Sequence, residues 1–193
     1  MNPHFFFNIL SSLQSFILRS DDKKSTILQL TRFSKIMRQT LESTYNENVS
    51  IQEEITFLKE YLELQKFRKR EGFNYQIEIS DELLYSDIFI PSMLLQPFIE
   101  NSIEHGISQL ADGALISIRF QELEKELKIC IEDNGKGLTA EKSDEKTHVS
   151  RATQITTERL KILNQKYHSN AKFEIIDTGK GVKVELYLPL TLN

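Results

Sequence analysis

The chain reads as an α+β protein: a helical N-terminal third, then an α/β sandwich with a mixed, mostly antiparallel sheet and helices on one face. Three observations predict it. Apolar residues recur every three to four positions across residues 27–41, the period of a helix. Apolar and polar residues alternate through 116–120, 127–131 and 182–188, the pattern of one-sided strands. Between these stretches the texture changes after Arg70-Glu71-Gly72, which divides the chain into residues 1–72 and 73–193.

A first helix is predicted over residues 3–18, opened by Pro3, and the polar run Ser20-Asp21-Asp22-Lys23-Lys24 separates it from the next. That second helix shows Leu30, Phe33, Met37 and Leu41 on one face. Ser50-Ile51-Gln52-Glu53 is a capping-box pattern that opens a third. The third carries two apolar stripes, Ile51/Ile55/Leu58/Leu62 and Phe57/Tyr61/Leu64. Covering both takes neighbours on two sides, which favours a helical bundle completed by dimerisation. A strand follows over 73–79. Pro91 suits the first turn of a helix running to His105, with Gly106 as its stop. A polar stretch over 134–152 precedes a helix over 153–167. Two strands, 172–178 and 182–188, close the chain around the turn Asp177-Thr178-Gly179-Lys180-Gly181.

Composition narrows the function classes. The 193 residues are 39% hydrophobic and 27% charged, an ordinary globular balance. A net charge of −4 gives a nucleic-acid partner no support. The single Cys130 excludes a disulfide framework and a multi-cysteine zinc site. No apolar run approaches the roughly 18 residues that a membrane helix needs, and no basic-then-apolar leader is present.

Four stretches carry candidate chemistry. On the helix before Gly106, Leu94, Phe98, Asn101 and His105 share a face, so Asn101 and His105 look into a pocket, with the Asn101 amide oxygen offered to Mg²⁺. A helix end turning out to solvent would look the same. In Asp133-Asn134-Gly135-Lys136-Gly137, Asp133 shares parity with Leu127, Ile129 and Ile131, which puts its carboxylate on the buried face. It would accept from a ligand amine such as that of adenine, with Gly135 and Gly137 letting backbone come close; an ordinary Asp/Asn-Gly turn has the same composition. The segment after Lys136 is either a lid or a surface insertion. His4, in Asn2-Pro3-His4-Phe5-Phe6-Phe7-Asn8, is a nucleophile or a packing residue.

Order and spacing join these pieces. Residues 2–8 resemble the N-P-H-F-x-F-N phosphoacceptor motif of the LytS-like sensor histidine kinases. Residues 94–106 look like that family's N-box, and 133–137 are similar to the G1 box of the GHKL-type ATP-binding fold. Thr157-Glu158-Arg159-Leu160 resembles the start of its helix after the lid. The resemblance covers nearly the whole chain. It implies a helical dimerisation and phosphotransfer region (1–72) and an ATP-binding catalytic domain (73–193). His4 would be the phosphoacceptor. Asn101 would hold Mg²⁺ on the ATP phosphates, with His105 near them and Glu100 polarising the imidazole. Asp133 would read the adenine amine, while Gly135 and Gly137 shape the adenine wall. The phosphoryl group would pass on to a response-regulator receiver domain. The family's glycine-rich lid box is missing, since no glycine occurs between Leu138 and Thr178. Thr147, Ser150 and Arg151 stand there as phosphate donors instead. That departure implies an alternative, a nucleotide-binding or scaffolding module with little kinase activity; a plain ATPase is a third. The chain begins three residues before His4, which implies a cytoplasmic fragment of a protein anchored upstream in the inner (cytoplasmic) membrane.

Overall fold

Two helices come first, α1 (Pro3–Arg19) and α2 (Lys23–Glu42). The structure, a computed structural model, describes residues 3–19, 22–43, 45–69, 72–108, 110, 112–138 and 151–191. Asp22 caps α2 by accepting from the Ser25 amide at 3.1 Å, satisfying one of the amides a helix start leaves open. The face α2 buries shares only part of the predicted stripe: Phe33 packs against the core and Met37 is half-buried. Ile36 and Gln29 turn inward, whereas Leu30 and Leu41 are exposed together with Ile27 and Leu28. Periodicity reveals an apolar face but not what covers it. Ion pairs flank the seam to the next helix, with Arg32 at 3.3 Å from Glu60 and Lys35 at 2.9 Å from the same carboxylate.

The strand β1 (Asn48–Ser50) runs straight into α3 (Ile51–Arg68). Both bonds of the capping box are made: the Glu53 amide donates to Ser50 Oγ at 3.2 Å, and the Ser50 amide to Glu53 Oε2 at 2.8 Å. Both stripes of α3 are covered, with Leu58, Tyr61, Leu62 and Leu64 fully buried. Ser50→Ala is expected to cost about 1 kcal/mol, read as a lower urea midpoint at unchanged slope.

After β2 (Asn74–Ile79) the structure departs from the predicted helix over 91–105. Pro91 closes a short strand, β3 (Phe89–Pro91), paired antiparallel with β1 so that Asn48 faces it. Proline's fixed φ suits an edge strand as well as a first helical turn, and local sequence does not choose between them. The chain then reverses through Met93 at φ +57°, and the helix starts only at α4 (Gln96–Asn101), with Pro97 in its first turn. From Ser102 to Gly106 it widens into a π turn, in which the Ile107 amide reaches back to the Ser102 carbonyl at 2.8 Å. That leaves the Ile103 carbonyl to Lys69 Nζ, at 2.9 Å, pinning the turn to the end of α3.

The remaining elements are β4 (Leu115–Glu122), β5 (Glu126–Asp133), α5 (Arg151–Tyr167), β6 (Lys172–Asp177) and β7 (Val182–Pro189). One sheet runs in the order β2-β4-β5-β7-β6, parallel between β2 and β4 and antiparallel elsewhere. Register puts Ile118 opposite Ile131 and Ile129 opposite Leu186. This apolar face joins one core with Phe98, Ile99 and Ile103 and with Leu160 and Leu163 of α5. The other face carries a charged ladder, with Arg119 at 2.8 Å from Glu132 and Lys128 at 3.1 Å from Glu185. Helices therefore cover one side of a mixed, mostly antiparallel sheet.

Candidate functional site

β5 ends on Asp133, and the parity of the strand carries its carboxyl to the buried face, 3% exposed. A buried carboxylate is costly unless it is hydrogen-bonded. Here Oδ2 accepts from the Ser102 hydroxyl at 2.8 Å, and Oδ1 from the amides of Gly135 at 3.0 Å and Val182 at 3.3 Å. A carboxylate accepts about four such bonds, so Oδ2 keeps room for a donor from outside the protein.

Three pieces of backbone converge on that carboxyl. A Cβ on Gly106 would lie 2.8 Å from Asp133 Oδ1, and one on Gly135 would lie 2.2 Å from the Gly106 carbonyl oxygen. One on Gly181 would lie 1.8 Å from the Asp133 carbonyl oxygen. The Lys136 amide closes the cluster by donating to Gly106 O at 3.3 Å. The chain itself therefore requires Gly135 to be glycine, apart from any approach of a ligand. Gly137 has a left-handed φ of +73°, and a Cβ there would meet Asp177 Oδ1 at 2.8 Å.

The helix residues divide. Asn101 is half-buried at the end of α4, next to Ser102, and its amide has no hydrogen-bond partner among the described residues. Its oxygen is free for a hard cation. Among the described residues no group of three or more His, Cys, Asp or Glu could hold a metal. Glu100 belongs to a second network. It accepts from Gln96 Nε2 at 2.8 Å and from the Tyr61 hydroxyl at 3.3 Å, and Tyr61 in turn accepts from Gln65 Nε2 at 2.8 Å. Burial raises the Glu100 pKa above the usual carboxylate range, with the Gln96 bond opposing it. The shared face predicted for Leu94, Phe98, Asn101 and His105 does not form: Leu94 precedes the helix, and His105 sits exposed in the π turn. An extra residue per turn rotates everything after it off the α-helical face.

His4 lies in the first turn of α1, and Arg151 is the first residue of α5; the side chains of both, and Thr147 and Ser150 entirely, lie outside the described residues. Sequence reading missed Ser102, Gly181 and the Val182 amide. Ser102 had a signal, following Asn101 directly in the run 94–106. Gly181 was legible only as part of a turn.

Residues 1–73 match the family described as Histidine kinase. The Sensor protein LytS of Oceanobacillus iheyensis is 34% identical over 137 residues, covering 71% of this chain and 23% of that protein. The chain thus spans about a quarter of the curated relative's length. Among solved structures, the Acinetobacter baumannii histidine kinase AdeS superposes with a TM-score of 0.55 at 13% identity, covering 95% of this chain and 93% of the other. Histidine kinase ThkA, in complex with the response regulator protein TrrA, gives 0.51 at 16% identity, covering 98% and 60%. Those likenesses establish the fold, and with the sequence match they place the chain in the family of LytS-like sensor histidine kinases.

Proposed function

We propose that this chain is the phosphotransfer and ATP-binding part of a two-component sensor kinase. It moves the γ-phosphoryl group of ATP to His4 and from there to an aspartate on a response-regulator receiver domain. One observation carries the reading: the buried Asp133 carboxyl, held by three donors, keeps acceptor capacity beside a glycine-walled cluster. That is what an exocyclic adenine amine needs, while Gly135 and Gly137 shape the wall and Asn101 lies along the chain from Ser102.

Asn101 would hold Mg²⁺, with His105, Thr147, Ser150 and Arg151 toward the phosphates; the cation supplies neutralisation of phosphate charge. Phosphoryl transfer leaves the protein mainly positioning and electrostatics to provide. Glu100, its charged form disfavoured by burial and its Oε1 fixed by Gln96 and Tyr61, would polarise the incoming imidazole. Residues 1–72 would form the dimerisation and phosphotransfer region and 73–193 the catalytic domain. The apolar residues that α1 and α2 leave exposed, Phe7, Leu10, Ile17 and Leu18 with Ile27, Leu30 and Leu41, support a homodimer. No helix among the described residues is long and apolar enough to cross a membrane.

Incubation with γ-labelled ATP and Mg²⁺ tests the transfer. Acid-labile, alkali-stable label is expected, and it falls to background in His4→Ala while nucleotide binding persists. The absence of glycine between Leu138 and Thr178 favours a second reading, a nucleotide-binding module without robust transfer. Retained ATP binding with no label, in a chain extended upstream of residue 1, decides for it.

A further inference from the structure

Away from Asp133, a cavity of about 90 Å³ lies where α2, β1, α3 and the β3–α4 connection meet, with Glu42, Glu54 and Ser92 among its walls. Glu54 is the anomaly there. It is 3% exposed, and its Oε1 is buried without a hydrogen-bond partner among the described residues. Such an atom costs free energy unless something answers it.

The cation whose charge acts on Glu54 is Arg159 of α5, and its Nη1 donates to the Ser92 carbonyl at 2.7 Å. Ser92 anchors the chain leaving the helical hairpin of α1 and α2: its amide donates to Glu47 O at 2.9 Å and its hydroxyl to Asn46 O at 3.0 Å. Further along α5, Lys166 pairs with Glu47, and Asn48 Nδ2 donates to the Tyr167 hydroxyl at 3.2 Å. The helix thus grips residues 46–48 at two levels. It also packs against α4, whose far end carries Asn101.

We propose that Arg159 is a positioning residue for nucleotide binding, which, held on Ser92 and facing the unanswered Glu54 carboxyl, sets the seat of α5 against α3, α4 and the exit of the hairpin. Only its nucleotide readout rests on the function proposed above.

The electrostatics give that seat a signature. Burial pushes Glu54 up to about 7, and Arg159 partly offsets the rise. The other charged groups on the cavity are Glu42 from α2 and Glu53 from α3, the latter engaged at Ser50; β1 and the β3–α4 connection contribute none. The sign follows from a raised acid. The seat is most favourable with Glu54 protonated, and that advantage is lost as pH rises from the ordinary carboxylate range through about 7. Without Arg159 the titration moves higher still.

Hydrogen exchange on the full chain between about pH 5 and pH 8, corrected for intrinsic rates, tests this in wild type, Glu54→Gln, Arg159→Ala and Arg159→Lys. In wild type, protection of residues 151–167 is expected to fall by roughly 50- to 100-fold across the range. Glu54→Gln abolishes the fall. Arg159→Ala moves its midpoint upward and weakens a fluorescent ATP analogue by about tenfold, the loss of one hydrogen bond to a charged group. Arg159→Lys restores the midpoint, which a purely packing role would not do. A full pH response in Glu54→Gln, or an unmoved midpoint in Arg159→Ala, overturns the proposal. If the wild-type chain binds no analogue, the nucleotide reading fails, while the exchange data still decide the role of Arg159.

Discussion

Asp133→Asn is expected to weaken a fluorescent ATP analogue by about 10- to 100-fold while leaving the fold standing, the equivalent of one hydrogen bond to a charged group lost and a donor set against a donor. The amide oxygen of asparagine keeps the bonds from Gly135 and Val182 on the Oδ1 side. Its NH₂ replaces Oδ2, and the Ser102 hydroxyl turns from donating to accepting, so every internal partner survives. What disappears is the spare acceptor, and an incoming amine meets an N–H in its place. Titration of the analogue beside a thermal melt separates the two effects. Equal affinity in the variant would remove Asp133 from recognition. Asp133→Ala differs, since it strands the buried Gly135 amide and Ser102 hydroxyl and the part-buried Val182 amide, and costs about 2–5 kcal/mol of stability as well.

Gly181→Ala is expected to be the most damaging single methyl in the described chain. The new Cβ would lie 1.8 Å from the Asp133 carbonyl oxygen and 2.7 Å from its carbon, both backbone atoms with no rotamer to escape into, at a φ of +129°. Overpacking and left-handed strain add to about 3 kcal/mol or more, or roughly 6–12 °C in melting temperature for a domain of this size. Gly179→Ala, two residues earlier, is the control. Its φ is also positive, at +73°, but a Cβ there meets nothing within 4 Å. It should cost about 1 kcal/mol, from strain alone. Circular-dichroism melts of the two variants check the difference, and near-equal losses would show that the backbone around Asp133 yields.

Much of the architecture was legible because it rests on local rules. The alternation in β4, β5 and β7, the capping box at Ser50 and the two stripes of α3 each follow from a period or a cap, and each is present. Asp133 was readable as a buried acid because strand parity is rigid. The failures came where two local conformations cost nearly the same. Pro91 fits a strand edge or a first helical turn, and only β1, some forty residues upstream, decides it. The π turn leaves no mark in the residues, and it undid the face shared by Asn101 and His105. The stripe on α2 was correctly periodic, but a helical period cannot say that Phe33 and Ile36 face the core while Leu30 and Leu41 stay exposed. Gly181 and Ser102 were invisible as partners of Asp133 because their contacts join segments far apart in the chain.

Ser50 is at once the last residue of β1 and the cap of α3, and β1 is hydrogen-bonded to β3. No slack residue separates strand from helix. A turn of α3 about its axis is therefore delivered to Pro91, five residues before the helix that ends on Asn101. A flexible linker would absorb such a rotation. The joint is stiff, so torsion in the helical third would reach the Asn101 end of the sandwich as displacement.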